Sequence, residues 1–167
     1  GRALFNVLDT DVPGLPQPER SFRISQIIPS KFERGFRIFR NIIDVDIQPI
    51  YTQPKFKYSR DSYSSPQMIM TIQAPDEASF EEFVNKNKQV IVDFFTKAEM
   101  NRQINLLKKE YSSVVAAKVG SMFGCDLRIP AGFERYKEGK DFLWTSQDRP
   151  GSEVSLNFVV YSYPYTD

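Results

Sequence analysis

The stretch that most constrains the fold of this chain is residues 76–123, which show sustained helical periodicity. Pro75 ends any preceding strand, and the Asp76 side chain suits a helix start because it can accept hydrogen bonds from free backbone N–H groups. Apolar residues recur at helical spacing up to Ala98, and a second apolar stripe begins at Met100, rotated by roughly 140° from the first. The buried face therefore changes between Ala98 and Met100.

One straight helix over residues 76–123 would be about 70 Å long, whereas a compact chain of this length is nearer 40 Å across. We therefore predict two helices or one sharply bent helix, ending near Phe123 with Gly120 or Gly124 as a left-handed cap. The alternative is an unbroken helix that packs first against one layer and then against a different layer or another chain.

Alternating and apolar segments around this stretch predict β-strands. They are Phe22–Ile28, Asn41–Ile47, an edge strand Lys55–Arg60, a central strand Gln67–Gln73, Cys125–Ile129, and a hairpin of Phe142–Gln147 with Val154–Tyr163 through a type II turn at residues 149–152. The predicted fold class is α+β, a two-layer sandwich with an antiparallel or mixed sheet of about five to seven strands and helices mainly on one face. We expect residues 1–167 to form a single domain that is a fragment of a longer chain.

The remaining segments are predicted as short helices and connectors. Leu4, Val7 and Leu8 indicate an opening helix, and the prolines of residues 12–18 indicate a stiff extended connector. Ser30 and Glu33 have capping-box spacing, which predicts a helix over Lys31–Phe39. Residues 133–140 are predicted to be a loop or one turn of helix.

Composition excludes several kinds of chemistry. The chain has no histidine and a single cysteine, so within itself it can form no disulfide, Cys/His zinc cluster or Ser-His or Cys-His nucleophile pair. Its 22 Lys and Arg against 21 Asp and Glu give a net charge of +1, so no overall field attracts nucleic acid or an anionic membrane. Cys125 is predicted to be a small buried core residue.

Local patterns provide the candidate site residues. Lys31, Arg34 and Arg37 form a basic face in a segment that partly matches an aromatic RNA-binding strand signature. A solvated basic face is favoured over a polyanion site there. Near the end of the chain, Tyr161 and Tyr163 suit a sugar or peptide surface, or cover sheet that a further C-terminal segment packs against.

Two carboxylates share one face of a predicted strand. Asp44 and Asp46 are two residues apart on Asn41–Ile47, close enough for a cation or an acid/base pair. A polar sheet face with Arg40 as counter-charge is the favoured interpretation. Glu99 and Arg102 are further polar residues to inspect, although their spacing equally suits a helical ion pair.

Several short motifs together resemble a known family. They are Leu15-Pro16-Gln17-Pro18-Glu19, Phe39-Arg40-Asn41-Ile42-Ile43, Ser65-Pro66-Gln67, Glu99 to Arg102, Ile129-Pro130 and Phe142-Leu143-Trp144. Over essentially its whole length the chain resembles a family of Bacteroidetes envelope lipoproteins, the domain of unknown function 4837. The resemblance implies an upstream signal peptide with a lipidated cysteine, a further C-terminal region and attachment to the cell envelope. It implies no activity, substrate or catalytic residue.

These observations favour a non-catalytic envelope module that binds or scaffolds a macromolecular partner, such as an envelope protein or glycan. The candidate interaction surface is Arg34, Arg37, Tyr161 and Tyr163, and no catalytic residue, cofactor or metal site is assigned. Nucleic acid is not expected as a partner, and a membrane only through the upstream lipid anchor. The alternatives are a carboxylate-dependent enzyme acting on an envelope substrate and a weak polyanion binder using the basic face and Lys55–Arg60.

Overall fold

The computed structural model describes residues 2–148 and 155–165, and this part of the chain contains five α-helices and six β-strands. The helices are α1 (Arg2–Leu8), α2 (Arg34–Arg37), α3 (Glu77–Lys86), α4 (Lys88–Lys109) and α5 (Ser113–Phe123). The strands are β1 (Asn41–Ile47), β2 (Lys55–Arg60), β3 (Met68–Ala74), β4 (Arg135–Glu138), β5 (Phe142–Asp148) and β6 (Ser155–Tyr161). The fold class is α+β, as predicted, and the chain divides into two compact units, residues 1–99 and 100–167.

The first unit contains a mixed three-stranded sheet with the order β1-β3-β2. β1 runs parallel to β3 and β2 antiparallel to it, which confirms β3 as the central strand and β2 as an edge. The register pairs both Asp44 and Lys57 with Thr71. Since alternate residues of a strand point to opposite faces, these three share a polar face, and Met70 and Ile72 lie on the other.

The apolar face of this sheet carries the core of the first unit. The buried residues of this core are Val7, Leu8, Met70, Ile72, Ala74, Phe80, Val84, Ile91 and Phe95. Aromatic rings extend it at the β2 edge, where Phe56 packs 4.7 Å from Phe83 and Tyr58 packs 4.9 Å from Phe94, measured between ring centroids. Each large side chain buried in this way contributes roughly 1.5 to 3 kcal/mol. The core thereby fixes β3 against α1, α3 and the first half of α4.

The second unit has its own sheet and its own core. Its strands are all antiparallel in the order β4-β5-β6, so the predicted hairpin of β5 with β6 is confirmed. The predicted turn at residues 149–152 lies outside the described residues. Val115 and Val119 of α5 pack with Leu143 of β5, and Ile129 and Phe133 complete the buried cluster.

The long helical stretch is broken, as predicted, but at different places. α3 begins at the expected cap, where the Asp76 carboxylate accepts from the Ser79 N–H at 2.8 Å, and α5 ends at Phe123 with Gly124 at φ 66°. The breaks fall at Asn87 and before the N-cap Ser112, whereas α4 runs unbroken through residues 98–100. The change of apolar stripe thus marks the point where α4 leaves the first core: Phe95 is buried and Met100 exposed.

The prediction of one sheet is wrong, because the six described strands form two separate three-stranded sheets. Phe22–Ile28 makes no strand ladder: Phe22 and Ile24 pack on the first core without one, and Ile28 is exposed. The capping box at Ser30 does not form, and the predicted helix Lys31–Phe39 is replaced by two short elements. They are a 3-10 turn at Pro29–Lys31 and the single turn of α2, whose N-cap is Glu33. Pro29 suits the start of the turn and displaces the helix start.

Four further predictions are also wrong. Cys125–Ile129 is not a strand, and Cys125 is exposed rather than in the core. Residues 133–140 contain β4 instead of only a loop. Residues 12–18 do not extend but turn back, because the Val12 N–H bonds to the Glu19 carbonyl at 2.8 Å and Asp11 pairs with Arg20 in an isolated bridge.

Candidate functional site

In the first unit the Arg37 side chain is held by two aromatic rings. Its guanidinium carbon lies 5.3 Å from the centroid of the Tyr63 ring and 5.9 Å from that of Phe32. The two rings contact each other edge to face, with centroids 5.8 Å apart. Cation–π contacts of this kind orient a guanidinium while leaving its N–H groups available for an acceptor. Arg37 is exposed, so such an acceptor can come from outside the chain.

The buried side chain of Gln67 fixes the backbone beneath these rings. Its Nε2 donates to the Arg37 carbonyl at 2.7 Å and the Phe39 carbonyl at 2.8 Å, and its Oε1 accepts from the Tyr63 N–H at 3.0 Å. Gln67 is only 1% exposed, and a buried amide is stable when its donors and acceptor are all satisfied. The Gln67 side chain therefore holds in place both the backbone segment that carries Arg37 and the loop that carries Tyr63.

Several apolar side chains in the sequence segment around Arg37, and Tyr63, are exposed. Ile28, Phe36, Ile38, Phe39 and Tyr63 are all exposed, with Ile38 at 67%, and Phe36 and Phe39 stack with centroids 6.1 Å apart. We call residues 28–40 together with Tyr63 the α2 surface. Single exposed apolar residues are ordinary, whereas large contiguous apolar patches are typical of interaction sites.

The α2 surface is also basic. Residues 28–40 contain four cations, Lys31, Arg34, Arg37 and Arg40, and one anion, Glu33. Within the described ranges none of these four cations forms an ion pair. Of the predicted interaction residues, Arg34 and Arg37 therefore lie together on a surface that combines unneutralised positive charge with apolar side chains.

On the polar face of the first sheet the structure brings Asp46 into a hydrogen-bonded group. Its carboxylate accepts from the Tyr51 hydroxyl, from Gln48 Nε2 at 2.6 Å and from Gln73 Nε2 at 2.9 Å. Gln73 Nε2 also donates to the Tyr51 hydroxyl oxygen at 2.6 Å. Asp44 lies on the same face, as predicted, beside Thr71 of β3.

The pKa values of the two carboxyl groups are displaced in opposite directions from their ordinary value. Hydrogen bonds from Tyr51 and Gln73 lower the pKa of Asp46 below its ordinary value. Partial burial and the neighbouring Asp46 charge raise the pKa of Asp44. The hydrogen bond to Asp46 also raises the pKa of the Tyr51 hydroxyl, which keeps it a donor. A general acid and a general base need pKa values that are separated in this way. Hydrogen-bonded carboxylates with a purely structural role show the same separation.

The other polar residues predicted for a catalytic role are placed elsewhere. Glu99 lies on α4, where its carboxylate accepts from Asn41 Nδ2 at the start of β1, and Arg102 belongs to the second unit. Among residues 2–148 and 155–165, no group of three or more Asp, Glu, Cys or His side chains is arranged to hold a metal ion. Asp44 and Asp46 share one face of the first sheet, and Glu99 and Arg102 both lie on α4.

In the second unit Tyr161 and Tyr163 form an exposed pair. Their rings stack with centroids 6.0 Å apart and 25° between planes. Tyr161 is paired in register with Phe142, and the Ser162 N–H bonds to the Asp141 carbonyl at 3.0 Å, which extends the β5–β6 pairing. The pair is open to solvent, as the prediction of an interaction surface requires.

An apolar groove of about 350 Å³ also lies in the second unit, lined by Ile104, Leu107, Lys108, Asp126 and Arg128. Arg128 lies over the Tyr111 ring, with its guanidinium carbon 4.9 Å from the centroid, and pairs with Asp126 at 3.9 Å. The opposite charges of Arg128 and Asp126 in this groove therefore partly neutralise each other.

Sequence reasoning found Arg37 and Asp46 but not the residues that hold them. Tyr63 and Gln67 follow Arg37 by 26 and 30 positions, in a segment where no local pattern links them to it. Tyr51 lies only five residues after Asp46, in the turn that follows β1, whereas Gln73 follows Asp46 by 27 positions. The pairing of β1 with β3 brings Gln73 to Asp46, and the same pairing brings Gln67 to the segment of Arg37.

The fold and these surfaces define an α+β protein with a basic, aromatic surface in one unit and an exposed tyrosine pair in the other. The family model for the domain of unknown function DUF8532 matches residues 1–108, and the chain belongs to this family. The model for the domain of unknown function DUF4837 matches residues 112–167. The resemblance to the domain of unknown function 4837 is thereby confirmed for residues 112–167, and over residues 1–108 the matching family is a different one.

No curated protein and no solved structure matches the chain. In the part of the chain that the structure describes, no helix has the length and apolar character needed to cross a membrane. The α2 surface lies within the segment that matches DUF8532, and the tyrosine pair lies within the segment that matches DUF4837.

Proposed function

We propose that the chain is a non-catalytic binding module that docks a macromolecular partner on the α2 surface. The observation that supports this most directly is the Arg37 guanidinium, oriented by Phe32 and Tyr63 among exposed apolar side chains. Arginine and aromatic residues are enriched where proteins bind each other, and surface groups held in place before binding lose less entropy on association. Tyr161 and Tyr163 are a second candidate contact in the other unit.

The proposal extends to where the module acts. We expect it to function in the cell envelope of Bacteroidetes, attached through an upstream lipid anchor, with an envelope protein or glycan as its partner. The support for this location is the resemblance of the sequence to envelope lipoproteins, and residues 112–167 match the domain of unknown function DUF4837. Fractionation of cells that express the full-length gene product measures it directly: recovery in the soluble cytosolic fraction would contradict the proposed location.

Site-specific photo-crosslinking tests the docking surface. A photoreactive phenylalanine analogue at Ile38, which is 67% exposed, is expected to give a specific adduct in native envelopes. The matched control carries the same analogue at Val114, an exposed apolar position of α5 in the second unit. Loss of the Ile38 adduct when Phe39→Ser is added would support docking at the α2 surface. Equal labelling at both positions, or none, would count against it.

A second candidate function is a carboxylate-dependent enzyme that acts on an envelope substrate. The observation in its favour is the opposite displacement of the Asp44 and Asp46 pKa values on one sheet face. In this scheme Asp44 is the general acid because its raised pKa favours the protonated form, and Asp46 is the base. The test is hydrolysis of chromogenic esters, glycosides and phosphates by the full-length protein. Activity that Asp44→Asn abolishes without loss of folding would support this alternative over the binding module.

A further inference from the structure

We infer that the α2 surface recognises an acidic peptide segment with apolar side chains, and that Arg37 binds a carboxylate of that segment. The inference rests on the proposed docking function and adds the chemistry of the partner. It is carried by the contacts of Arg37, by the charge of residues 28–40 and by the kind of apolar side chain that surrounds them.

The Arg37 guanidinium has the contacts of a binding group rather than of a structural ion pair. Within the described residues its side chain contacts the Phe32 and Tyr63 rings and forms no ion pair or hydrogen bond. An aromatic ring attracts the cation but does not replace an oxygen acceptor for its five N–H donors. A carboxylate matches the planar fork of these donors and can bind through two parallel hydrogen bonds.

The position of this group is set before any ligand binds. Gln67 holds the carbonyls of Arg37 and Phe39 and the N–H of Tyr63, so the segment and the ring that orient the guanidinium share one buried anchor. Ordering an exposed, flexible side chain at an interface costs about 0.5 to 1.5 kcal/mol, and a guanidinium already held by rings loses less. These bonds involve the backbone of Arg37, so its side chain can be changed without removing the anchor.

The surrounding charge indicates an acidic partner. Lys31, Arg34 and Arg40 add three cations within ten residues, against Glu33 alone, and none of them forms an ion pair in the described part of the chain. Complementary charge speeds encounter and excludes partners of the same sign. A segment with several carboxylates would satisfy this surface without burying an unpaired cation.

The apolar side chains favour a peptide over a nucleic acid. Single-stranded nucleic acids bind by stacking bases on free aromatic faces. Here Phe36 and Phe39 stack on each other, 11° from parallel, and the most exposed apolar side chain is the aliphatic Ile38. Leucine or phenylalanine side chains of a peptide fit this surface better than bases do.

A fluorescence anisotropy titration with defined probes tests the inference. The first probe is a labelled octapeptide that alternates glutamate with leucine and phenylalanine, and the second replaces each glutamate by glutamine. A third probe is single-stranded oligothymidylate. The expected result is that the glutamate peptide binds about tenfold more tightly than the glutamine peptide, since one charge-assisted bidentate contact contributes an affinity ratio of this order. Oligothymidylate is expected to bind more weakly than either peptide.

Substitutions assign the effect to Arg37. Arg37→Gln is expected to remove most of the difference in affinity between the two peptides, with the remainder due to Lys31, Arg34 and Arg40, and Arg37→Lys is expected to recover only part of it because lysine lacks the fork. The matched control is Arg135→Gln, which removes the same charge from an exposed arginine of β4 and is expected to change nothing. Thermal unfolding of each variant verifies that the fold is kept.

The outcomes separate this inference from the proposed function. If the two peptides bind with equal affinity and Ile38→Ser abolishes the binding of each, docking at the α2 surface is supported. The carboxylate contact of Arg37 is then overturned. Tighter binding of oligothymidylate, lost in Arg37→Gln, would overturn the peptide in favour of nucleic acid. No binding by any probe at millimolar concentration would overturn the inference, and the Ile38 crosslinking result would then decide on the proposed function by itself.

Discussion

At the scale of single residues, Gln67 links a buried hydrogen-bond network to the exposed α2 surface. Its side-chain amide contacts backbone groups of Arg37, Phe39 and Tyr63, and its own N–H donates to the Asp61 carboxylate at 2.7 Å. A buried polar group that loses its partner costs about 1 to 3 kcal/mol. The orientation of Arg37 therefore depends on a residue that contacts no ligand.

Gln67→Ala is expected to lower the free energy of unfolding by about 2 to 4 kcal/mol, because the carbonyls of Arg37 and Phe39 lose their donor together. Gln67→Glu keeps the acceptor for Tyr63 but brings a carboxylate to the two carbonyls, so it is expected to be at least as damaging at neutral pH and less so in acid. Urea unfolding measures both, with the exposed Gln103→Glu as control. A change below 0.5 kcal/mol, within the ordinary range for surface positions, would contradict the role of the network.

The carboxyl pair gives a second prediction at this scale, with opposite signs for its members. The lowered pKa of Asp46 means that its stabilising contribution is present above the unfolded pKa of about 3.9 and is lost as the pH falls through its folded pKa. The raised pKa of Asp44 means that stability is lost as the pH rises from the unfolded value through its folded pKa.

Asp46→Asn is therefore expected to destabilise the protein at neutral pH, with a smaller difference from wild type at about pH 3. Asp44→Asn is expected to stabilise it at neutral pH, since the ionised carboxylate next to Asp46 is unfavourable. Unfolding free energies of the two variants at both pH values measure this, with the exposed Asp141→Asn as a charge-matched control. Two variants with the same sign at neutral pH would contradict the opposite pKa displacements.

At the scale of elements, two glycines four residues apart have opposite requirements. Gly120 lies inside α5, where a Cβ atom would come no closer than 3.9 Å to the Cys125 carbonyl oxygen, and Gly124 ends the helix at φ 66°. In a helix interior alanine is more stable than glycine by about 0.5 to 1 kcal/mol. In the left-handed conformation alanine is less stable than glycine by about 1 to 2 kcal/mol.

Gly120→Ala is accordingly expected to raise the free energy of unfolding, and Gly124→Ala to lower it by about 1 kcal/mol. Each variant is the control for the other, because both add one methyl group at the same end of α5. Chemical denaturation measures the pair. If both substitutions stabilised the protein, Gly124 would not be the left-handed cap of α5 in solution.

The elements also show what local pattern can predict. Alternation, proline positions and capping residues correctly predict several elements. These are β1, β2, β3, the β5–β6 hairpin, the Asp76 cap and the end of α5 near Phe123. The helix breaks at Asn87 and Ser112 were missed because neither glycine nor proline marks them. β4 was missed because its four residues carry too short a pattern, and its pairing with β5 supplies what the pattern lacks.

The errors in Phe22–Ile28 and Cys125–Ile129 have a shared physical cause. Both segments bury alternate or nearly alternate side chains, with Ile24 against the first core and Ile129 in the second, yet neither forms a ladder with a neighbouring strand. Alternation reports burial of one side of an extended chain, and a strand additionally needs a partner edge. Similarly, the contact of Arg37 with the Tyr63 ring depends on tertiary pairing, which no local spacing encodes, whereas its contact with Phe32 is local.

At the scale of the whole molecule, the two cores share no residue. The buried residues of the first core lie between Val7 and Phe95 and include Ile91, and those of the second lie between Val115 and Leu143. Ile91 and Leu143 are both completely buried, so they are matched positions for weakening one core at a time. The expectation that residues 1–167 form a single domain stays a prediction that such substitutions test.

Truncation of Leu143 or Ile91 to alanine is expected to cost about 2 to 5 kcal/mol, as for other large buried aliphatic side chains. Because the cores are separate, Leu143→Ala is expected to speed amide hydrogen exchange in β5 and α5 far more than in β3, and Ile91→Ala is expected to have the reverse effect. Exchange measured by mass spectrometry on both variants distinguishes the alternatives. An equal loss of protection in β3 and β5 for each variant would mean that the chain opens as one cooperative domain, and a partner that binds the α2 surface would then stabilise β5 as well.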